Sequence, residues 1–313
     1  MTSSTSSSSA SRTSRRHHFL AVVLLAPFVV AMVGLLRAPS TRSGLPPDLF
    51  WVEKVKTEQR FDLVLVGDSR IYRGLSPDKM NETLRNIRIL NFGFMSAPLI
   101  ETYLSAAQEM LDPESLEPVI VLGVTPHALT RSASKKNNFY SYAAHTPFLV
   151  FLRRVLTPGW HFLRAFDHSE LWRALSGGEG GYFEVFHPDG WVASRRVPED
   201  PTIAIDVYRE QFAAGGVVRS YVTGLIAIVS RWTRAGIRVY GFRPPSTPAM
   251  VELENEMSGF DEEGFVRAFE EQGGTWLRFP EGVYPSYDGS HLREDGALAL
   301  SADLAAELGR RLR

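Results

Sequence analysis

The 313-residue chain has no cysteine. That absence removes disulfides, thiolate catalysis and cysteine-based metal sites, and it leaves the compartment undecided. The formal net charge is only −1. With no excess of positive charge to neutralise phosphates, no nucleic-acid partner is expected. Internal repeats, a phosphate-cradling glycine loop and zinc-ligand spacings are missing too. His161 and His168 stand too far apart, in too aromatic a setting, to rate as ligands. The acidic stretch Glu252 to Gln272 has no tight ligand spacing and reads as a solvated helix face. No metal and no cofactor is expected.

Charge is also missing from one long run. Phe19 to Leu36 holds no ionisable side chain and is just long enough to cross a bilayer as one helix, interrupted only by Pro27 and Gly34. Before it, residues 1–18 form a Ser-rich tail too poor in apolar side chains to bury a core. After it, residues 37–48 read as a linker rich in Pro, Ser and Gly. A cleaved signal peptide is the competing reading, but the run is long for that role and Gly34-Leu35-Leu36-Arg37 offers no clean small-x-small site. The expectation is an uncleaved single-pass anchor. Basic residues flank it on both sides, so charge does not settle orientation. The usual arrangement of such anchors puts residues 49–313 outside the cytoplasm, periplasmic or extracellular.

What is present begins with Phe61-Asp62-Leu63-Val64-Leu65-Val66-Gly67-Asp68-Ser69-Arg70. An apolar, largely aliphatic run bounded by turn residues predicts a strand buried on both faces, of the kind found inside a parallel sheet. Ser69 falls just past its carboxyl end, where open α/β sheets bind ligands, so its hydroxyl is a candidate nucleophile. A serine hydroxyl needs an imidazole to take its proton and a third group to orient that imidazole. In Tyr287-Asp288-Gly289-Ser290-His291 a histidine follows a carboxylate by three residues, so one short turn can present both side chains together. Each stretch taken alone is equally a turn or a helix-entry loop.

Gly-Asp-Ser early and Asp-x-x-His near the end resemble, in order and position, the SGNH/GDSL hydrolase family. The resemblance implies a flavodoxin-like three-layer sandwich and an acyl-transfer site built on Ser69, Asp288 and His291. Ile89-Leu90-Asn91-Phe92-Gly93 matches the family's second block, which implies that the Gly93 amide is an oxyanion donor, with Asn91 beside it as a candidate binding residue. The third block, Gly-x-Asn-Asp in the family, here reads Gly123-Val124-Thr125-Pro126. No asparagine is available there, and Thr125 is the candidate hydroxyl donor in its place. Arg243, at the carboxyl end of a later strand, is a further candidate for facing the same crevice.

Strands are predicted near 61–66, 87–91, 118–123, 237–242 and 275–279, alternating with helices near 76–85, 98–111, 217–235 and 294–312. That alternation predicts a parallel sheet covered on both faces. It stops between about 130 and 215, a segment too long for a connecting loop and rich in aromatics from Phe139 to Trp191. This insertion is expected to cap the crevice, its aromatics able to stack on sugar rings and screen the site from water. Two amphipathic pieces in Phe148 to Leu175 are expected to bury against the main domain, with bilayer contact as the alternative. Anchor, missing asparagine and insertion together resemble the family's extracytoplasmic acyltransferases that O-acetylate exopolysaccharides. By that resemblance the acceptor is a polysaccharide or other acylated glycan, and the acyl group comes through a multi-span membrane acyltransferase. A carbohydrate esterase of the same family, or a non-catalytic glycan-binding scaffold, remains open.

Overall fold

The computed structural model describes residues 22–23, 25–29, 45–163 and 181–312. The Ser-rich tail, most of the predicted anchor, residues 37–44 of the linker and the second amphipathic piece of the insertion lie outside them. Residues 22–23 and 25–29 are helical. No helix among the described residues is long and apolar enough to cross a membrane.

The protein is a mixed α/β structure around a five-stranded sheet. Its strands are β1 (Leu63–Val66), β2 (Ile89–Asn91), β3 (Val119–Gly123), β6 (Arg238–Phe242) and β7 (Thr275–Leu277), in the order β2-β1-β3-β6-β7. All four pairings are parallel. The sheet positions of the five strands give the order 2-1-3-4-5 of the doubly wound type, with the switch point between β1 and β3. Two more strands, β4 (Gly181–Phe186) and β5 (Val192–Val197), form a separate antiparallel hairpin.

Alternate side chains of each strand enter different cores. Val64, Val66, Ile120 and Leu122 face one side, Leu63, Leu65, Val119 and Val121 the other. This is why the run in β1 is continuously apolar: a strand covered on both faces has no solvent-facing positions. The first core is closed by α1 (Pro47–Lys56), α4 (Glu101–Glu109), α9 (Arg219–Arg234) and α11 (Glu262–Glu271), which bring in Phe50, Tyr103, Trp232 and Phe269. The second is closed by α2 (Ser69–Gly74), α3 (Pro77–Asn81) and α12 (Glu294–Arg311) through Ile71, Met80, Leu300 and Leu304. Helix starts follow local chemistry. Ser76 caps α3 with Pro77 at its first position, where a missing N–H costs nothing, and α12 carries Glu294 and Asp295 in its first turn and two arginines in its last.

Two expectations are corrected. The acidic stretch after residue 252 is not one solvated helix: it breaks at Ser258-Gly259 into α10 (Pro248–Met257) and α11, and Glu254 is fully buried. Three of the insertion's aromatics are not available to a crevice. Phe139, Phe186 and Trp191 are core residues. The short helices α5 (Arg131–Lys136) and α6 (Phe139–Ala143) are followed by α7 (Pro147–Leu163), which buries Val150 while Phe148, Phe151, Val155 and Leu156 stay largely exposed. The amphipathic face expected to bury against the domain is uncovered there.

Candidate active site

The site forms where β1 ends. Asp68, fully buried, caps α2: its Oδ1 accepts from the Arg70 amide at 2.9 Å and its Oδ2 from Thr125 Oγ1 at 2.5 Å. The first amides of a helix have no intrahelical partner. With that of Arg70 given to Asp68, the Ser69 amide stands beside its own hydroxyl. Behind this turn the chain just past β2 runs so close that a Cβ on Gly93 would lie 2.6 Å from the Tyr72 amide nitrogen. Only glycine fits there.

The other half comes from the loop before α12. Asp288 Oδ1 accepts from the amides of Ser290 and His291 at 2.9 and 2.7 Å, so the carboxylate folds its own loop into a turn. Gly289 at its apex has φ +93°, a left-handed conformation that favours glycine, and a Cβ there would meet the Pro201 carbonyl at 2.2 Å. The insertion supports this loop from above. At the entry to α8 (Ile203–Ala213) the Asp200 and Ala204 amides donate to the Tyr287 and Asp288 carbonyls at 3.0 and 3.1 Å.

Ser69, Asp288 and His291 meet in space. His291 Nε2 lies 2.8 Å from Ser69 Oγ and its Nδ1 2.7 Å from Asp288 Oδ2. Burial pushes the imidazole below its ordinary pKa; Asp288 pulls the other way, and the charges of Arg73 and Arg70 add to the lowering. Burial alone would raise Asp288, but the facing His291 and the hydrogen bonds from His291 and Ser290 outweigh it and hold the carboxyl well below the usual carboxylate range. At neutral pH the ring is therefore uncharged and the carboxylate ionised. The Nδ1 proton then points at Asp288, and Nε2 is left to accept from Ser69.

The other four predicted site residues are placed differently. Gly93 donates its amide to Asn91 Oδ1 at 3.0 Å. Asn91 Nδ2 donates to the Ile71 and Leu75 carbonyls at 2.8 and 2.7 Å, so this buried side chain staples α2 to β2. The Thr125 hydroxyl is given to Asp68 and accepts from the Ala128 amide at 3.2 Å. Arg243 is committed to Glu254, Glu262 and Asn255 at 2.8, 2.7 and 3.0 Å. In all four places the groups named are engaged with other groups of the protein, as polar groups shielded from water generally are.

Several residues that surround the triad were not singled out from the sequence. Tyr287 stacks on the His291 ring at 6.0 Å between centroids, and its hydroxyl meets Arg73 Nη1 at 3.0 Å, Tyr182 Oη at 2.8 Å and Ser194 Oγ at 3.0 Å. Arg73 also reaches Glu184 at 3.0 Å, which ties the hairpin to α2. Arg70 Nε donates to Ser290 Oγ at 3.0 Å. The signal available for Arg70 and Arg73 was their spacing, one and four residues after Ser69 on one short helix.

No family model matches the chain, and no curated protein matches it. Among solved structures it is similar to a chain from Streptococcus pneumonia provisionally named a platelet activating factor. The two share 12% identity and a TM-score of 0.39 over 92% of this chain and 98% of that one.

Proposed function

We propose that the protein is a serine-dependent acyl-transfer enzyme of the SGNH/GDSL kind, held on a membrane by residues 19–36, that acylates hydroxyls of an extracytoplasmic polysaccharide. The observation that carries this reading is the unbroken chain Ser69 Oγ, His291, Asp288, with bonds of 2.8 and 2.7 Å. Ser69 Oγ attacks an acyl carbonyl while its proton passes to His291 Nε2. The tetrahedral intermediate collapses, the C–O bond to the leaving group breaks, and the imidazolium returns the proton to that group. Asp288 keeps the ring in the needed tautomer and stabilises its charge. In the second half a sugar hydroxyl loses its proton to His291 and takes the acyl group; the acyl C–O bond to Ser69 breaks and the imidazolium returns the proton to Ser69 Oγ. The acyl donor would be supplied by a multi-span membrane acyltransferase.

The oxyanion falls to the Ser69 amide, because Gly93, Asn91 and Thr125 are engaged elsewhere. Each missing donor costs roughly a hundredfold in rate, so turnover of a small activated ester is expected to be slow. A deacylase reading has an observation of its own. The His291 side chain keeps 13% of its surface exposed, so water can reach the same acyl-enzyme.

The test is a chromogenic acetyl ester offered with and without candidate polysaccharides. Slow leaving-group release, lost in Ser69→Ala and accelerated by the right glycan with acetyl appearing on the sugar, is the expected result. If release ignores every glycan and all acetyl ends as acetate, the enzyme is the deacylase. If Ser69→Ala releases as fast as the wild type, the triad is not a catalytic site.

A further inference from the structure

Behind the nucleophile the side chains of two arginines and two glutamates form one chain of ion pairs. Glu262 accepts from Arg243 Nη1 at 2.7 Å, and Arg243 Nη2 donates to Glu254 Oε2 at 2.8 Å. The other Glu254 oxygen accepts from Arg70 Nη2 at 2.6 Å, and Arg70 Nε donates to Ser290 Oγ at 3.0 Å. Glu254 is wholly buried and Arg70 is 3% exposed. Removing two charges from water is expensive, and apolar residues of similar volume are often as stable in such places. Stability alone is a poor reason for this pair. Arg70 Nη1 is buried without a partner among the described residues, while Nε and Nη2 are both engaged.

What the pair does have is position. Arg70 follows Ser69 directly, and Ser290 directly precedes His291. Although 220 residues apart, Arg70 and Ser290 join the nucleophile's helix to the loop that carries the acid and the base. Glu254 holds the guanidinium from a third element, α10. Two donors on one planar fork, each with its own acceptor, fix a direction as well as a distance, which an ammonium group cannot do.

We propose that Arg70 is a positioning residue for the triad: clamped by Glu254, its guanidinium holds Ser290 and thereby sets where the His291 ring meets Ser69 Oγ. This rests on the acyl-transfer reading. Arg70→Lys keeps the charge and loses the fork; it should lower kcat by about a hundredfold, the size of effect a misplacement of about 1 Å can have, with KM little changed. Ser290→Ala removes the acceptor and should lower kcat in the same way, and the double variant should be no worse than either single one. Arg70→Gln also removes a positive charge that faces His291, while Asp288, Arg73 and Tyr287 stay. Its acidic limb should move to higher pH, whereas that of Arg70→Lys should not.

All variants are compared as full-length chains at equal folded fraction, judged by circular dichroism and thermal unfolding. A coupled loss in kcat, with the pH shift confined to Arg70→Gln, supports positioning. Wild-type kcat in Arg70→Lys, independent losses in the double variant, or losses that only follow the folded fraction overturn it. Wild-type turnover that does not depend on Ser69 removes the acyl-transfer reading itself, and the inference falls with it.

Discussion

Thr125 Oγ1 donates to Asp68 Oδ2 at 2.5 Å, across the carboxyl ends of β3 and β1. That bond turns a candidate oxyanion donor into a support for the helix cap beside the nucleophile. The same hydroxyl accepts from the Ala128 amide at 3.2 Å, so both its donor and acceptor roles are used.

A stability effect follows for Thr125→Ala. Asp68 is fully buried and would keep only the Arg70 amide bond at 2.9 Å. Leaving a buried acceptor without its partner costs about 2 kcal/mol. Urea unfolding should show that loss, while kcat for a small ester should fall by less than about tenfold, well short of the hundredfold typical of a lost oxyanion donor. Thr125→Ser should restore most of the stability. A hundredfold loss of kcat with stability intact would return Thr125 to the oxyanion hole.

A pH dependence follows from two histidines, His291 part-buried and His127 buried. Burial lowers His291 despite Asp288, with Arg73 and Arg70 contributing to the lowering, and Tyr287 stacked on the ring. Activity needs the neutral ring, so the acidic limb of kcat/KM should have its midpoint below the ordinary histidine value of about 6.5. His127 is also lowered by burial. Asp68 and Glu254 oppose this, Arg70 assists it, and Tyr208 lies against the ring at 5.1 Å. Between the lowered folded values and about 6.5 the unfolded chain binds more protons. Stability is therefore at its full value above that window and is lost as pH falls through it. Urea midpoints from pH 7.5 to 5 measure this, and His127→Gln should flatten the curve. An acidic limb above 6.5 would mean that the Asp288 charge outweighs burial at His291.

What could be read in advance has a physical pattern. Periodicity reports burial, so the aliphatic run of β1 announced a strand covered on both faces, and the short Asp288 to His291 spacing announced two side chains on one turn. Long-range pairing leaves no such mark. Glu254 sits in an acidic stretch that looks solvated, because its partner Arg70 lies 184 residues away. Asn91 looked like a ligand-facing amide, yet it reaches back to the carbonyls of Ile71 in α2 and Leu75 at its end. The insertion aromatics carried an ambiguous signal, since Phe139 and Trp191 are equally suited to a sugar face or a core. Contacts decided it: Phe139 packs on Phe92, Phe94 and Tyr103, while around Trp191, Lys54 Nζ donates to the Gly190 carbonyl at 2.8 Å, the Asn91 amide to the Asp189 carbonyl at 2.9 Å, and Trp191 Nε1 to the Arg73 carbonyl at 3.0 Å.

The proposed membrane attachment makes the last prediction, and it concerns α7. Phe148, Phe151, Val155 and Leu156 are 55 to 70% exposed and recur at helical spacing along one stripe. Single exposed apolar side chains are ordinary, but a contiguous row of large ones marks a contact surface. The opposite side of α7 packs on α1 through the ion pairs Arg153–Asp48 at 2.5 Å and Arg154–Glu53 at 2.7 Å. Helix α1 begins at Pro47, only eleven residues after Leu36 closes the apolar run, so the stripe belongs to the part of the domain tethered most closely to the proposed anchor. Because the chain contains no cysteine, single thiols can be introduced without background. Phe151→Cys and Val155→Cys, labelled with an environment-sensitive dye in the full chain reconstituted into vesicles, should shift to the blue and be quenched by brominated lipids. Leu116→Cys, at a position 98% exposed, should do neither. Quenching at Phe28→Cys but not at 151 or 155 would keep the anchor and remove the surface contact; no quenching at Phe28→Cys would remove the anchor itself. A blue shift at 151 that persists without vesicles would mean that another part of the protein, or a second copy, covers the stripe.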